Sequence, residues 1–168
     1  ACFYLYGATH YGAFVDMLEA HDPDGHAAGN LDAALARVVA ANAGLSTPAD
    51  AVPFLGAAGD LVAFVDPEGS VTTYRYLQPA DGTSQLCHNL ARCTLPNGDY
   101  LDIAYYPNDT VSCHTNAKGD SFHFAYSFYH CYAETWNESG FYRKVYWNHY
   151  QDVIGLDNED GCIVSMAY

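Results

Sequence analysis

Two periodicities divide the chain. Up to about residue 57 the apolar positions recur at helical spacing, after a short opening run, Cys2-Phe3-Tyr4-Leu5-Tyr6, that reads as a buried strand closed by Gly7. From Tyr11 to Ala20, Phe14, Met17, Leu18 and then His21 share one helical face, and Asp22-Pro23-Asp24-Gly25 ends that helix. The clearest helix is predicted over Leu31 to Ala43, with Asn30 as N-cap, a stripe of Leu31, Leu35, Val38 and Val39, and Gly44 as a left-handed C-cap. Thr47-Pro48-Ala49-Asp50 suits the start of one further short turn, limited by Pro53.

From about residue 60 the period falls to two, and β-branched and aromatic residues replace the alanines. Leu61–Val65 and Val71–Leu77 flank the turn-rich Asp66-Pro67-Glu68-Gly69-Ser70 and predict a hairpin. Leu95-Pro96-Asn97-Gly98 predicts a second, between Thr94 and Tyr100–Tyr106. Further strands are expected at 111–114, 121–132, 141–150 and 161–167, with residues 133–140 as a loop. Helices followed by strands argue for an α+β fold. The expectation is one domain over residues 1–168, with a helical part at about 10–57 and a β-rich part at about 60–168. Its antiparallel sheet of about five to seven strands carries one long helix on one face. Leu31, Leu35, Val38, Phe64, Phe122, Phe124, Phe128 and Trp147 are the expected common core, and no internal repeat stands out.

Half of the 168 residues are apolar, enough for one ordinary core, and no apolar run reaches the roughly 18 residues of a membrane span. Twenty Asp and Glu against six Lys and Arg give a net charge of −14, which disfavours nucleic acid and anionic membranes as partners. The six cysteines, Cys2, Cys87, Cys93, Cys113, Cys131 and Cys162, lack the paired short spacings of zinc ribbons. Three disulfides are therefore expected, Cys87 with Cys93 being the most local pair. An opening at Ala1, as after removal of a signal peptide, and sequons at Asn108 and Asn137 extend this to a secreted, extracellular, monomeric glycoprotein.

Catalytic motifs are scarce. Gly7-Ala8-Thr9-His10-Tyr11-Gly12 lacks the Lys-Ser/Thr of a phosphate loop, and neither Asp22–Gly25 nor Asp157–Gly161 has EF-hand spacing. The G-x-S-x-G and H-E-x-x-H patterns are both missing, and no cofactor is expected. One surface does stand out. With Lys118-Gly119 at the centre of a tight turn, His114 faces His123, on a polar face with Ser112, Ser121, Ala125, Ser127 and Tyr129. Val111, Cys113, Phe122, Phe124, Tyr126 and Phe128 then form the buried face. Extending the sheet brings Lys144, Tyr146, Asn148 and Tyr150 beside the polar residues. Tyr142–Tyr150 resembles the Tyr/Asn-rich strand of alginate-lyase-type sandwiches, but the companion Gln-Ile-His strand is absent and no residue role is carried over.

The leading expectation is a disulfide-stapled binding or interaction protein, effector-like or toxin-like in the manner of virulence proteins. It would recognise an extracellular protein or carbohydrate through Tyr129, Tyr146, Asn148 and Tyr150. An alternative is a small hydrolase or lyase with His114 and His123 as general acid and base. A second is extracellular metal binding by the eight histidines and many carboxylates.

Overall fold

The computed structural model describes residues 1–22, 24–78, 85–161 and, for the backbone alone, 164–165. These form two compact units, Ala1–Asp102 and Ile103–Tyr168, with the boundary inside a strand.

In the first unit β1 (Phe3–Tyr6), β2 (Leu61–Val65), β3 (Val71–Tyr76), β4 (Leu90–Thr94) and the start of β5 (Tyr100–Tyr105) pair antiparallel in chain order. Leu5, Ala63 and Thr73 align across three strands, as do Phe3, Val65 and Val71, so this face alternates as a half-covered sheet should. It is covered by α1 (Tyr11–His21), α2 (His26–Ala41) and α3 (Pro48–Leu55). Leu18, Leu31 and Leu35 from the helices and Leu5, Val62 and Val65 from the strands are fully buried.

Helix α2 starts a turn before its expected N-cap, because the Asp22 carboxylate accepts from Ala27 N at 2.6 Å and Ala27 and Ala28 are buried against the core. Asn30 lies inside the helix and its Nδ2 donates to Gly69 O at 2.9 Å, fastening α2 to the β2–β3 turn. Helix α3 exceeds the single turn expected. A capping box sets its start, Thr47 Oγ1 accepting from Asp50 N and the Asp50 carboxylate from Thr47 N, and Pro53 is accommodated before the end at Leu55.

The second unit continues β5 from Ile103 and adds β6 (Val111–Asn116), β7 (Ser121–Ser127), β8 (Tyr132–Trp136), β9 (Tyr142–Trp147), β10 (Val153–Asn158) and β11 (Val164–Ser165). The strands from β6 onward again pair antiparallel in chain order. Among its described residues this unit has no helix. Its strand side chains are partly exposed almost throughout, so it is a single layer held by cross-strand pairs and not by a core.

One turn recurs. In Asp66–Ser70, Leu95–Asp99, Tyr106–Thr110, Asn116–Asp120, Asn137–Phe141 and Asn148–Asp152, the first residue donates its N–H to the carbonyl of the fifth. The fourth, in the left-handed region, donates to the carbonyl of the first. This is a three-residue loop with a type I turn and a left-handed bulge residue. Where the first residue is Asp or Asn, its Oδ1 accepts two backbone N–H groups, as Asn116 does from Lys118 and Asp120 at 2.9 and 3.0 Å. In the second unit the left-handed residues Asp109, Gly119, Cys131, Gly140, Gln151 and Gly161 follow one another every nine to twelve residues. The chain therefore has a structural repeat, carried by turn chemistry and not by a conserved-looking word.

Several expectations are corrected. The described residues form eleven strands and three helices, mostly β, in place of an α+β fold with five to seven strands and one long helix. The expected strand 121–132 is broken by a turn at 128–131, and β8 runs from Tyr132 into the expected loop 133–140, whose end at Asn137–Phe141 repeats the turn already used at Asn116. The expected common core is not formed. Leu31 and Leu35 are buried, but Phe64, Phe122, Phe124 and Trp147 are only half-buried and Phe128 is 63% exposed.

The disulfide staple is also absent. Cys2, Cys87, Cys93, Cys113 and Cys131 are free thiols, Cys87 and Cys93 included, while Cys162 lies outside the described residues. Both sequon asparagines are explained as turn residues. Asn137 Oδ1 accepts from Ser139 N and Phe141 N, and Asn108 Oδ1 from the Thr110 hydroxyl at 2.9 Å. The structure thus supports neither disulfide bonding nor the glycoprotein, effector and virulence character inferred with it. No helix among the described residues is long and apolar enough to cross a membrane.

Two outcomes follow. In urea unfolding, Leu31→Ala should cost about 2 to 5 kcal/mol as a core truncation, whereas Phe124→Ala should cost about 1 to 2, since half its surface is already wet. Equal losses would contradict the single-layer description. Alkylation of the unreduced, denatured protein should label Cys2, Cys87, Cys93, Cys113 and Cys131, and failure to label any two of them would restore a disulfide.

Candidate functional site

The register of β6 and β7 decides what the second unit can present. Because Gly119 ends a three-residue loop and does not centre a two-residue one, Cys113 pairs with His123 and His114 with Phe122. The expected register is off by one, and a slip of one residue sends every side chain of a strand to the opposite face. His114 and His123 therefore lie on opposite faces of the sheet and share neither proton nor substrate atom.

His114 sits with Phe122, Phe124 and Tyr126, its ring edge-on to Phe124 at 4.7 Å. Burial against these rings pushes its pKa below the ordinary imidazole value. His123 occupies the other face, stacked on Trp136 at 5.6 Å, with Nε2 2.8 Å from Glu138 Oε1. That bond and the neighbouring imidazole hold the fully exposed Glu138 carboxyl below its usual range.

The face carrying His123 is built by three successive registers. His123 aligns with Trp136 and Tyr142, Ala125 with Glu134 and Lys144, and Ser127 with Tyr132 and Tyr146. Alternation thus places Tyr132, Trp136, Tyr142 and Tyr146 around one central ion pair, Lys144 Nζ to Glu134 Oε1 at 3.0 Å. The ammonium also lies 3.6 Å from the Tyr132 ring centroid and 5.3 Å from that of Tyr146. Tyr142 donates its hydroxyl to Glu134 Oε1 at 3.1 Å, and burial together with this carboxylate raises the phenol's pKa. The carboxylate in turn raises that of Lys144. The raised values keep the Tyr142 phenol and the Lys144 ammonium protonated at neutral pH, so the patch offers an ammonium paired with a carboxylate and framed by aromatic surface.

The expected ligand-binding residues divide accordingly. Tyr146 lies on this face beside Lys144, as the pattern indicated. Asn148 is spent on its own turn, Oδ1 accepting from Tyr150 N and Asp152 N. Tyr150, in that turn, is 74% exposed, and Tyr129, in the β7–β8 turn, is 91% exposed. Neither is positioned by a strand. Sequence reasoning misses Tyr132, Glu134 and Trp136 as site residues because it ends a strand at Tyr132 and reads 133–140 as a loop; the signal available is the second Asn-x-x-Gly turn at Asn137. Among the described residues no group of three His, Cys, Asp or Glu side chains is placed to hold a metal ion.

No protein-family model matches the chain, and no curated protein matches its sequence.

The lowered pKa of His114 has a definite sign. Between the ordinary imidazole value and the lowered one, the unfolded chain binds a proton that the folded chain does not, so stability falls as pH drops below about 6.5. His114→Gln should flatten that part of the profile when urea midpoints are compared at about pH 7.5 and 5.5. Identical pH dependence in the two proteins would place the ring in water.

Proposed function

We propose that the protein is a binding module that recognises a polypeptide or carbohydrate through the Tyr132, Trp136, Tyr142 and Tyr146 face of the second unit. The observation that carries this reading is the register itself. Two strands, β8 and β9, deliver four aromatic side chains to one face around the Lys144–Glu134 pair, β7 adds His123 beside them, and among the described residues of the unit no helix covers them. Trp136 is 37% exposed, an aromatic contact surface with a polar handle, of the kind enriched at recognition sites. A proton-transfer role has lost its geometric basis now that the two histidines are separated by the sheet.

The test is array screening of the whole protein against immobilised peptides and soluble oligosaccharides, followed by titration of any hit. Trp136→Ala and Tyr142→Phe should keep the far-UV spectrum of the parent. Trp136→Ala should weaken binding by about 2 kcal/mol, roughly 30-fold, as a central aromatic contact does. Hits that bind Trp136→Ala as tightly as the parent, or no hit in either library, would overturn the assignment of this face.

A further inference from the structure

Only six cationic side chains oppose the twenty carboxylates of this chain, and three of them, Arg37, Arg75 and Arg92, line one cavity of about 400 Å³ in the first unit. The strands β3, β4 and β5 form its floor, and α2 and α3 supply its wall. The register sets Arg75 directly opposite Arg92 on the helix-covered face, in line with buried Thr73 and Val71. Like charges facing each other across a ladder destabilise it, so two guanidiniums in this position need anionic compensation.

Asp102, opposite Arg92 on β5, compensates only one of them. Its two carboxylate oxygens accept from Arg92 Nε and Nη2, both at 2.5 Å, and the guanidinium lies 4.0 Å from the Tyr100 ring centroid. Among the described residues Arg75 has no such partner. Its Nε is buried without a hydrogen bond, and among the described residues neither Arg75 nor Arg37 forms an ion pair. A buried donor on a charged group left unmatched is costly, and it is rare in native interiors unless something absent from the bare protein completes it.

We infer that this cavity is a binding site for a small organic anion, a carboxylate or phosphate monoester on a compact apolar body. The oxyanion is matched by Arg75 and Arg37, with Arg92 held in place by Asp102. The body is matched by Val38, Leu55, Val71 and Leu95, apolar side chains that a bare inorganic ion would leave wet. The volume falls in the small-molecule range of about 300 to 1,000 Å³. The net charge of −14 works against a long polyanion, whose remaining charges would meet the acidic surface, and so favours a small ligand. The site is independent of the aromatic face of the second unit.

The probes are 2-naphthoate, 2-naphthyl phosphate, the uncharged 2-naphthamide and inorganic phosphate, titrated into the whole protein by calorimetry and by backbone amide shifts in NMR. The two naphthyl anions should bind saturably at one site, shift the amides of Thr73, Arg75 and Thr94, and weaken as salt is added. Naphthamide and inorganic phosphate should each bind at least about tenfold more weakly, a difference of about 1.4 kcal/mol. Arg75→Met should reduce anion affinity at least about tenfold without lowering the thermal midpoint of the unliganded protein, because it removes an uncompensated charge. Arg37→Gln, on an exposed helix position, gives a second variant that leaves the fold untouched and should also weaken binding. No saturable binding below about 5 mM, equal binding of naphthamide, shifts scattered away from the cavity, or unchanged affinity in both variants would each overturn the assignment.

Discussion

A sheet without a second layer must be held by what its strands do to one another, and this governs the second unit. With no core to bury, its side chains reach only partial burial, and the stabilising contacts run along the ladder: Phe122 against Phe141, His123 against Trp136, Tyr132 against Tyr146. Such pairs contribute modestly each, on the order of 0.2 to 1 kcal/mol, so many are needed. That accounts for the concentration of aromatic residues between Phe122 and Tyr150 better than a buried core does. It also leaves aromatic surface available for recognition.

Cross-strand pairs require a fixed register, and the turns fix it. The same three-residue loop returns six times with a left-handed residue at its fourth position, four times with Asp or Asn at its first, so these six reversals share one offset. Glycine fills the fourth position at Gly69, Gly98, Gly119 and Gly140, where the backbone demands positive φ. Asp109 and Gln151 occupy it elsewhere, and the chain tolerates that local strain to keep the reversal. The loop at Asn137–Phe141 is what aligns the aromatic residues of β8 with those of β9.

The first unit solves the opposite problem. Its helices cover one sheet face, and Leu5, Leu18, Leu31, Leu35, Val62 and Val65 disappear from water. Along the same face the residue type changes from Val71 and Thr73 to Arg75, and from Thr94 to Arg92, so an apolar stripe ends in paired guanidiniums at the edge of the helical cover. Among the described residues Asp102 balances one charge and none balances the other. An uncompensated cation in a strongly acidic protein has a local cost that the fold could have avoided with an apolar residue, which makes this cleft chemically distinct from the rest of the unit.

The local elements were legible in the amino-acid sequence, because helical and strand periods, prolines, and Asn/Asp-Gly turns act over a few residues. The start of α1, the β2–β3 and β4–β5 hairpins, and the shared face of Tyr146 and Lys144 could all be read that way. Helix α2 began early because Asp22 accepts from Ala27 N and Ala27 and Ala28 are buried against the core, while Asn30, expected as the N-cap, found Gly69, thirty-nine residues away, a partner no local pattern shows. The His114/His123 pair failed on the placement of one residue, Gly119, since a three-residue and a two-residue loop share the same letters but send strands into opposite registers. Whether aromatic residues were core or surface depended on a helix lying over them, and no single strand's sequence says what will cover it. The opposition of Arg75 and Arg92 likewise exists only after β3 and β4 have paired. Local propensity set the elements; register and coverage, which are long-range properties, decided which side chains meet.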